Sequence, residues 1–259
     1  MVARTLRRLV WLALFCALAA LAAGGGLSSV LPGLRGAHDK AVGKLALSGA
    51  EQATLGRSWY QAMVRETPAV SGAEARRVSR LGRRLARGIK GRVRFYVLDD
   101  AHINACSHVG GYVYVNRGLL RMVANDDELA FVLAHELGHL ALGHCARAAA
   151  VGYRAEQNAG AAAGALAGQV YRLVTTGYSR ENELSADAYA AKLLRQRGMP
   201  TGGAISLMKR LAMMETLARR NRDPNDWKRR LGDHFATHPP SEERLRRLTT
   251  LLQRPSSGS

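Results

Sequence analysis

Between residues 129 and 142 the chain carries an apolar run in which Leu129, Val132, Leu133, Leu137 and Leu140 recur at helical spacing, directly after Asn125, Asp126, Asp127 and Glu128. An N-cap residue and an acidic first turn ahead of such a stripe predict a core helix. A second helix is expected from the segment that opens at Tyr178, continuing through Ala188, Tyr189, Ala191, Leu193 and Leu194 to a stop at Gly198 and Pro200. Upstream, Ser48 with Glu51 and Ser71 with Glu74 each fit a capping box, so two more helices should lead into the middle of the chain. In the second of them Val78, Leu81, Leu85 and Ile89 form an apolar stripe, and Arg76, Arg80, Arg83, Arg87 and Lys90 form a basic one. The period then changes. Val93, Phe95 and Val97 alternate with Arg94, Tyr96 and Leu98, and residues 112–115 follow a Gly110-Gly111 turn, so two strands are expected here. Helical patterning returns at 204–217 and 241–252, with a loop at 221–226 between them. The pattern is that of an α+β chain, mainly α.

At 259 residues and 47% apolar content, the chain can bury one good-sized core, and no internal repeat is visible. Arg4, Arg7 and Arg8 precede an uncharged stretch that lasts to Arg35. Its strongly apolar part, residues 9–23, is short for a membrane span but suits a signal-peptide core, with Ala20-Leu21-Ala22 as a small-x-small cleavage site. Residues 24–34 lengthen the run, so an uncleaved anchor over 9–31 is the alternative. Residues 1–26 are therefore expected to be a signal peptide or an N-terminal membrane anchor, and 27–259 an exported catalytic domain. The Ala/Gly-rich stretch 159–168 is too short and too weakly apolar to span a bilayer; it reads as a lid or as close helix packing.

Candidate chemistry sits on the core helix. His135, Glu136 and His139 stand in the pentapeptide HELGH. Residues four apart share a helix face, so both imidazoles can address one ion while Glu136 lies beside them, the layout of a zinc hydrolase. Two ionisable rings and a carboxylate would be costly to bury there unpaired. Catalytic zinc usually takes three protein ligands, so a third is required. The helix after Tyr178 offers Glu183 and Asp187, four apart on one face; one carboxylate can bind metal and the other can accept the spare N–H of a liganding histidine. His144, five residues past His139, falls about 140° away on an unbroken helix and is expected to be structural or partly exposed. A strand leading into the metal helix can lend its edge to an extended peptide, which makes Asn104, Gly111, Tyr112, Val113 and Tyr114 candidate substrate-binding residues.

HELGH followed by Ser179-Arg180-x-x-Glu183-x-x-Ala186-Asp187 resembles the gluzincin metallopeptidase family of HtpX and the CAAX prenyl proteases. The layout is most similar to its periplasmic BepA and LoiP type, without a repeat domain. The resemblance covers residues 47–248 and includes Asn104-Ala105, residues 110–115, Gly118-Leu119-Leu120, Thr237-His238-Pro239-Pro240 and Glu243-Arg244. It implies a gluzincin-like fold with a small antiparallel sheet packed on the HExxH helix. It also implies one Zn2+ held by His135, His139 and Glu183, Glu136 as general base, Asp187 and Arg180 behind the ligands, and His238 as a regulatory ligand that closes the site at rest. The activity implied is zinc-dependent endopeptidase action on unfolded or misassembled envelope proteins in the periplasm. Cys106, Ser107, His108 and Val109 depart from the apolar residues usual in the family, so substrate preference does not carry over.

The remaining composition bears on partners. The net charge of +18 favours an anionic membrane surface as a second contact; an export signal without a recognition motif argues against nucleic acid. A non-catalytic, chaperone-like or lipid-binding envelope protein with a structural zinc is the competing class. Outside the leader stand Cys106 and Cys145, candidates for a disulfide, with two buried thiols as the alternative.

Overall fold

The computed structural model describes residues 46–159, 178–220 and 242–253. The expected leader, the 221–226 loop and His238 lie outside them, as do residues 160–168 of the Ala/Gly-rich stretch. Contacts divide the chain into residues 47–149 with 170–259, and residues 1–46 with 150–169. In the second unit the described residues are Ala46 and 150–159, the latter helical.

Helix α1 (Gly49–Glu66) starts as its capping box requires: the Glu51 amide donates to Ser48 Oγ and the Ser48 amide to Glu51 Oε2, at 3.2 and 2.7 Å. Helix α2 (Ala73–Leu85) does not use its expected box. Its N-cap is Gly72, and Glu74 is turned instead toward Arg117, whose Nε donates to it at 2.9 Å. Val78, Leu81 and Leu85 still face the core, as their spacing predicts.

Three strands follow: β1 (Arg94–Leu98), β2 (Ala105–His108) and β3 (Tyr112–Asn116), in spatial order β1-β3-β2. The sheet is mixed, not antiparallel as expected: β3 runs parallel to β1 and antiparallel to β2. The two strands visible in the sequence are thus β1 and β3, and the Gly110-Gly111 turn joins β3 to a third strand, β2. That strand escapes the alternation rule because Ser107 and His108 are buried polar residues. One side of the sheet carries an aromatic cluster that packs Tyr60 and Met63 of α1 against Tyr96, Tyr112 and Tyr114.

A short helix, α3 (Arg117–Met122), leads to α4 (Asp126–Ala141), the helix that carries HELGH. Asn125 caps it, its Oδ1 accepting from the amides of Asp127 and Glu128 at 3.1 and 3.0 Å. Glu128 is fully buried and accepts from Ser206 Oγ and Arg210 Nη2, at 2.8 and 3.1 Å, which ties α7 (Gly202–Arg220) to the start of α4. At Gly143 the backbone turns to φ +72°, and α5 (His144–Ala159) begins in a new direction. Helix α6 (Arg180–Gln196), capped by Ser179, packs along α4, and α8 (Glu242–Gln253) packs on α6 and α7. Among the described residues no single helix is long and apolar enough to cross a membrane.

Candidate metal centre

Close approach of α4 and α6 builds the site. A side chain at Gly138 would sit 3.1 Å from Cα and O of Ala186, so the glycine of HELGH and the alanine before Asp187 let the two backbones nearly touch. Glu183 is thereby brought under the two histidines. His135 Nε2 and His139 Nε2 lie 3.0 Å apart, and the carboxylate oxygens of Glu183 lie 3.4 Å from the first and 3.2 Å from the second. Ligands held at ~2.0–2.1 Å around a tetrahedral ion are about 3.3–3.4 Å apart, so this triangle has the size a zinc-like ion needs. All three side chains are buried, with 5%, 0% and 1% exposure.

Charge agrees with size. Among the described residues, Glu136, Glu183 and Asp187 are buried together with one guanidinium, that of Arg244, an excess of acidic groups that suits a cation. Without the ion, protons take its place. Burial alone would lower the pKa of His135, but the Glu183 and Asp187 carboxylates outweigh it and raise the value to about 10.

Each ligand is held from behind, by different means. With Nε2 directed at the other ligands, His135 donates through Nδ1 to Asp187 Oδ1 at 2.9 Å. Asp187 in turn accepts from Arg244 Nε at 2.7 Å and Nη2 at 2.8 Å, a bidentate pair, while Arg244 Nη1 lies 3.0 Å from Glu183 Oε2. Burial works against ionising Asp187, but Arg244 and His135 keep its pKa below the usual carboxylate value. His139 meets a neutral partner: its Nδ1 lies 3.0 Å from His144 Nδ1. Burial, assisted by Arg147, lowers the His144 pKa to about 4, so the His139 N–H donates and His144 accepts. His144 passes its own Nε2 proton toward Ser185 Oγ at 3.4 Å. Tyr178 stacks on His139, with ring centroids 3.8 Å apart and planes 17° from parallel.

A model of Peptidase family M48 matches residues 72–252, a segment that contains all of these groups. The chain belongs to Peptidase family M48. Metalloprotease LoiP of Escherichia coli (strain K12) is 30% identical over 230 residues, 83% of this chain and 86% of LoiP. Metalloprotease YcaL of the same organism is 30% identical over 190 residues, 69% of this chain and 70% of YcaL. The Beta-barrel assembly-enhancing protease of that strain is 27% identical over 190 residues, but the match spans only 37% of its length. The M48 chain is accordingly a metalloprotease, and His135, His139 and Glu183 are the cluster among its described residues that could hold a metal ion.

Against this M48 site the other expectations divide. Glu136 lies beside the cluster, held by Ser107, whose Oγ is 2.8 Å from Glu136 Oε2 and 3.2 Å from its backbone oxygen. Arg180 does not stand behind the ligands. It is exposed and pairs with Glu243, and the buried cation is Arg244, its neighbour in that pair. Tyr112, Val113 and Tyr114 cannot offer a strand edge, because β3 is the central strand and both of its sides are taken. Gly111 sits in the turn before β3, and Asn104 precedes β2. The outer strand beside α4 is β2, and Asn104 Oδ1 at its start is buried with no hydrogen-bond partner among the described residues. His108 faces the aromatic cluster, between Val109 O and the Tyr114 hydroxyl at 2.9 Å each, and burial lowers its pKa to about 4.

Of the two readings of His144, structural or partly exposed, the structure has it buried. The turn at Gly143 breaks the helix on which its orientation had been reckoned, and brings its ring back onto His139. Cys106 and Cys145 are free thiols and form no disulfide. Cys145 touches Ser107 O at 3.5 Å and the Tyr178 hydroxyl at 3.2 Å, and burial pushes its thiol up to about 11. Ser107, His144, Tyr178 and Arg244 therefore belong to the site without having been assigned to it from the sequence. The available signals were Gly143, a helix stop ahead of His144, and the Glu243-Arg244 pair within the resemblance.

Proposed function

We propose that this chain is a zinc-dependent endopeptidase of the bacterial cell envelope that cleaves extended or misfolded proteins. The observation that carries the reading is the buried His135, His139 and Glu183 triangle with Glu136 on the same helix turn. Nitrogen, nitrogen and carboxylate oxygen are the ligand set of catalytic zinc, which leaves one position for water or substrate. Bound there, zinc supplies a Lewis acid that acidifies water and polarises a peptide carbonyl.

The chain's own groups do the rest. Glu136 takes the proton of the attacking water and returns it to the leaving amine, and Ser107 holds the carboxylate in place for both transfers. Asp187 and His144 each accept an imidazole N–H, so both ligand rings present Nε2 to the ion. Peptide binds by adding to the outer side of β2. The Asn116 amide donates to Asn104 O, so by antiparallel alternation the main-chain groups of Ala105 and Ser107 point away from β3. Asn104 Oδ1 is available to accept a peptide N–H beside them. Ala105 and Ser107 are themselves 1% and 2% exposed, so the edge receives peptide only when the site opens.

The envelope location is supported by the charged and apolar leader and by the name of one relative, a beta-barrel assembly-enhancing protease. The test is Glu136→Gln. The variant should retain one zinc per chain by elemental analysis and lose digestion of unfolded casein; undiminished digestion would end the assignment of the base. A wild-type protein that binds zinc and unfolded casein without cutting it would favour the chaperone-like class instead.

A further inference from the structure

A groove of about 910 Å³ is formed by the loop after α2, the Gly110-Gly111 turn, the ends of α4 and α6 and the start of α1, with Leu140, the residue after His139, in its wall. Its described lining includes five cations, Arg87, Lys90, Arg92, Arg94 and Arg197, and no carboxylate. Two of these are fixed in the walls. Arg94 donates to Gly110 O at 3.2 Å with its guanidinium 5.0 Å over the Tyr112 ring, and Arg197 Nε donates to Leu85 O at 3.2 Å. Arg87, Lys90 and Arg92 are exposed. Like charges set in a concave wall focus a positive potential that none of the described lining groups offsets.

The groove continues the path proposed for the substrate. Cys145 lines it and also touches Ser107 O, the residue whose hydroxyl holds Glu136. The turn that closes β2 forms part of its wall, so a chain added to β2 at Ser107 reaches Gly110 after about 10 Å of strand. A recess of this shape admits an extended chain, whereas a bilayer surface meets protruding groups. The geometry points to this groove as a subsite for acidic residues of the polypeptide substrate, lying roughly three to six positions from the scissile bond. The inference rests on the peptidase reading for its substrate and on the groove for its charge.

Fluorescence polarisation on the zinc-loaded Glu136→Gln protein separates the two, since it needs no turnover. The probes are two labelled peptides of identical apolar core, one followed by four Asp and the other by four Asn. The Asp peptide should bind about ten-fold more tightly at roughly 50 mM salt and lose that advantage as salt rises. Adding Lys90→Glu and Arg92→Glu should bring it to the level of the Asn peptide. The pair Lys209→Glu and Arg246→Glu, which makes the same change in net charge outside the groove, should leave its affinity unchanged. Circular dichroism and zinc content confirm that both variants fold. Equal affinity for the two peptides, or an equal loss in both charge-reversal pairs, would overturn the proposal. So would vesicles of phosphatidylglycerol that bind through Lys90 and Arg92 while the Asp peptide shows no preference. Failure of the wild-type protein to digest casein, with groove-dependent peptide binding intact, would overturn the peptidase reading alone.

Discussion

Arg244 should be worth more to the metal-free protein than any other single cation described here. Its side chain is 6% exposed and serves two carboxylates that are themselves 2% and 1% exposed, through contacts of 2.7 and 2.8 Å to Asp187 and 3.0 Å to Glu183. Replacing it with methionine keeps the bulk of the side chain and leaves two buried acids without their guanidinium. Removing one partner of a buried pair typically costs about 3–5 kcal/mol, a large share of the ~5–15 kcal/mol by which a domain is usually stable. Arg244→Met should therefore lower the urea midpoint of the chelated protein sharply, without changing the slope of the transition. The companion Asp187→Asn removes the other end of the pair and leaves a buried guanidinium short of charge. If the bidentate bond is the reason for both costs, the double variant should lose at least about 2 kcal/mol less than the sum of the two single losses. Equilibrium unfolding of the four proteins at one pH in chelator measures this. Additivity within about 0.5 kcal/mol would refute the pair as the element that holds His135 in place.

Four further outcomes follow from the same geometry. His135 has a folded pKa of about 10 against an ordinary 6.5, so its protonation stabilises the metal-free protein fully below pH 6.5 and is lost as pH rises toward 10. Zinc displaces that proton, so zinc affinity should rise with pH over the same window; calorimetry in buffers of different ionisation heat should find about one proton released per zinc near neutral pH, and no release would contradict the assignment. His144→Ala removes the acceptor of the His139 N–H and should weaken zinc binding about ten- to a hundred-fold, as measured by competition with a chromophoric chelator. Gly138→Ala forces a methyl group against Ala186 and should cost roughly 1–3 kcal/mol of stability along with zinc affinity; unchanged values would mean that the helices do not need this approach. Cys145, free and buried, should react with a thiol reagent only after unfolding, and the number of reactive thiols in the unfolded chain should be the same with or without reductant.

How much of this was legible beforehand depended on whether a residue's partner lay on the same periodic element. His135 and His139, proposed as ligands, and Glu136, proposed as the base, are set by a single helical repeat, and Glu183 with Asp187 by another, so spacing alone placed each group on a shared face. Bringing the faces together needed only that both helices be buried, and the Gly138 and Ala186 contact shows how closely they approach. The groups behind the ligands follow no such period. Arg244 arrives from a helix 57 residues beyond Asp187, and no periodic spacing distinguishes it from arginines 246 and 247, which are exposed; only the resemblance marked Glu243-Arg244, without giving Arg244 a role. Arg180 was the nearer and more obvious cation, yet at the exposed first residue of α6 it pairs with Glu243 instead. The error over β3 has a similar origin. Its alternating aromatic and valine residues look like a strand with one wet face, but all five are buried, because β1 and β2 flank it and α1 covers its aromatic side.

The same reasoning explains why β2, the strand closest to the chemistry, was the one hardest to see. A strand beside a catalytic carboxylate must turn polar atoms inward to hold it, and this one turns Ser107 onto Glu136 while His108 is satisfied by Tyr114 and Val109. Both residues break the apolar alternation that marks a strand in sequence. Ser107→Ala separates the two demands. The alanine should fit the strand at least as well, so stability should change by less than about 1 kcal/mol, while Glu136 loses its donor and turnover of unfolded casein falls at constant zinc content. A variant that instead keeps full turnover and loses stability would place Ser107 in the fold, and would leave the orientation of Glu136 to its other contacts.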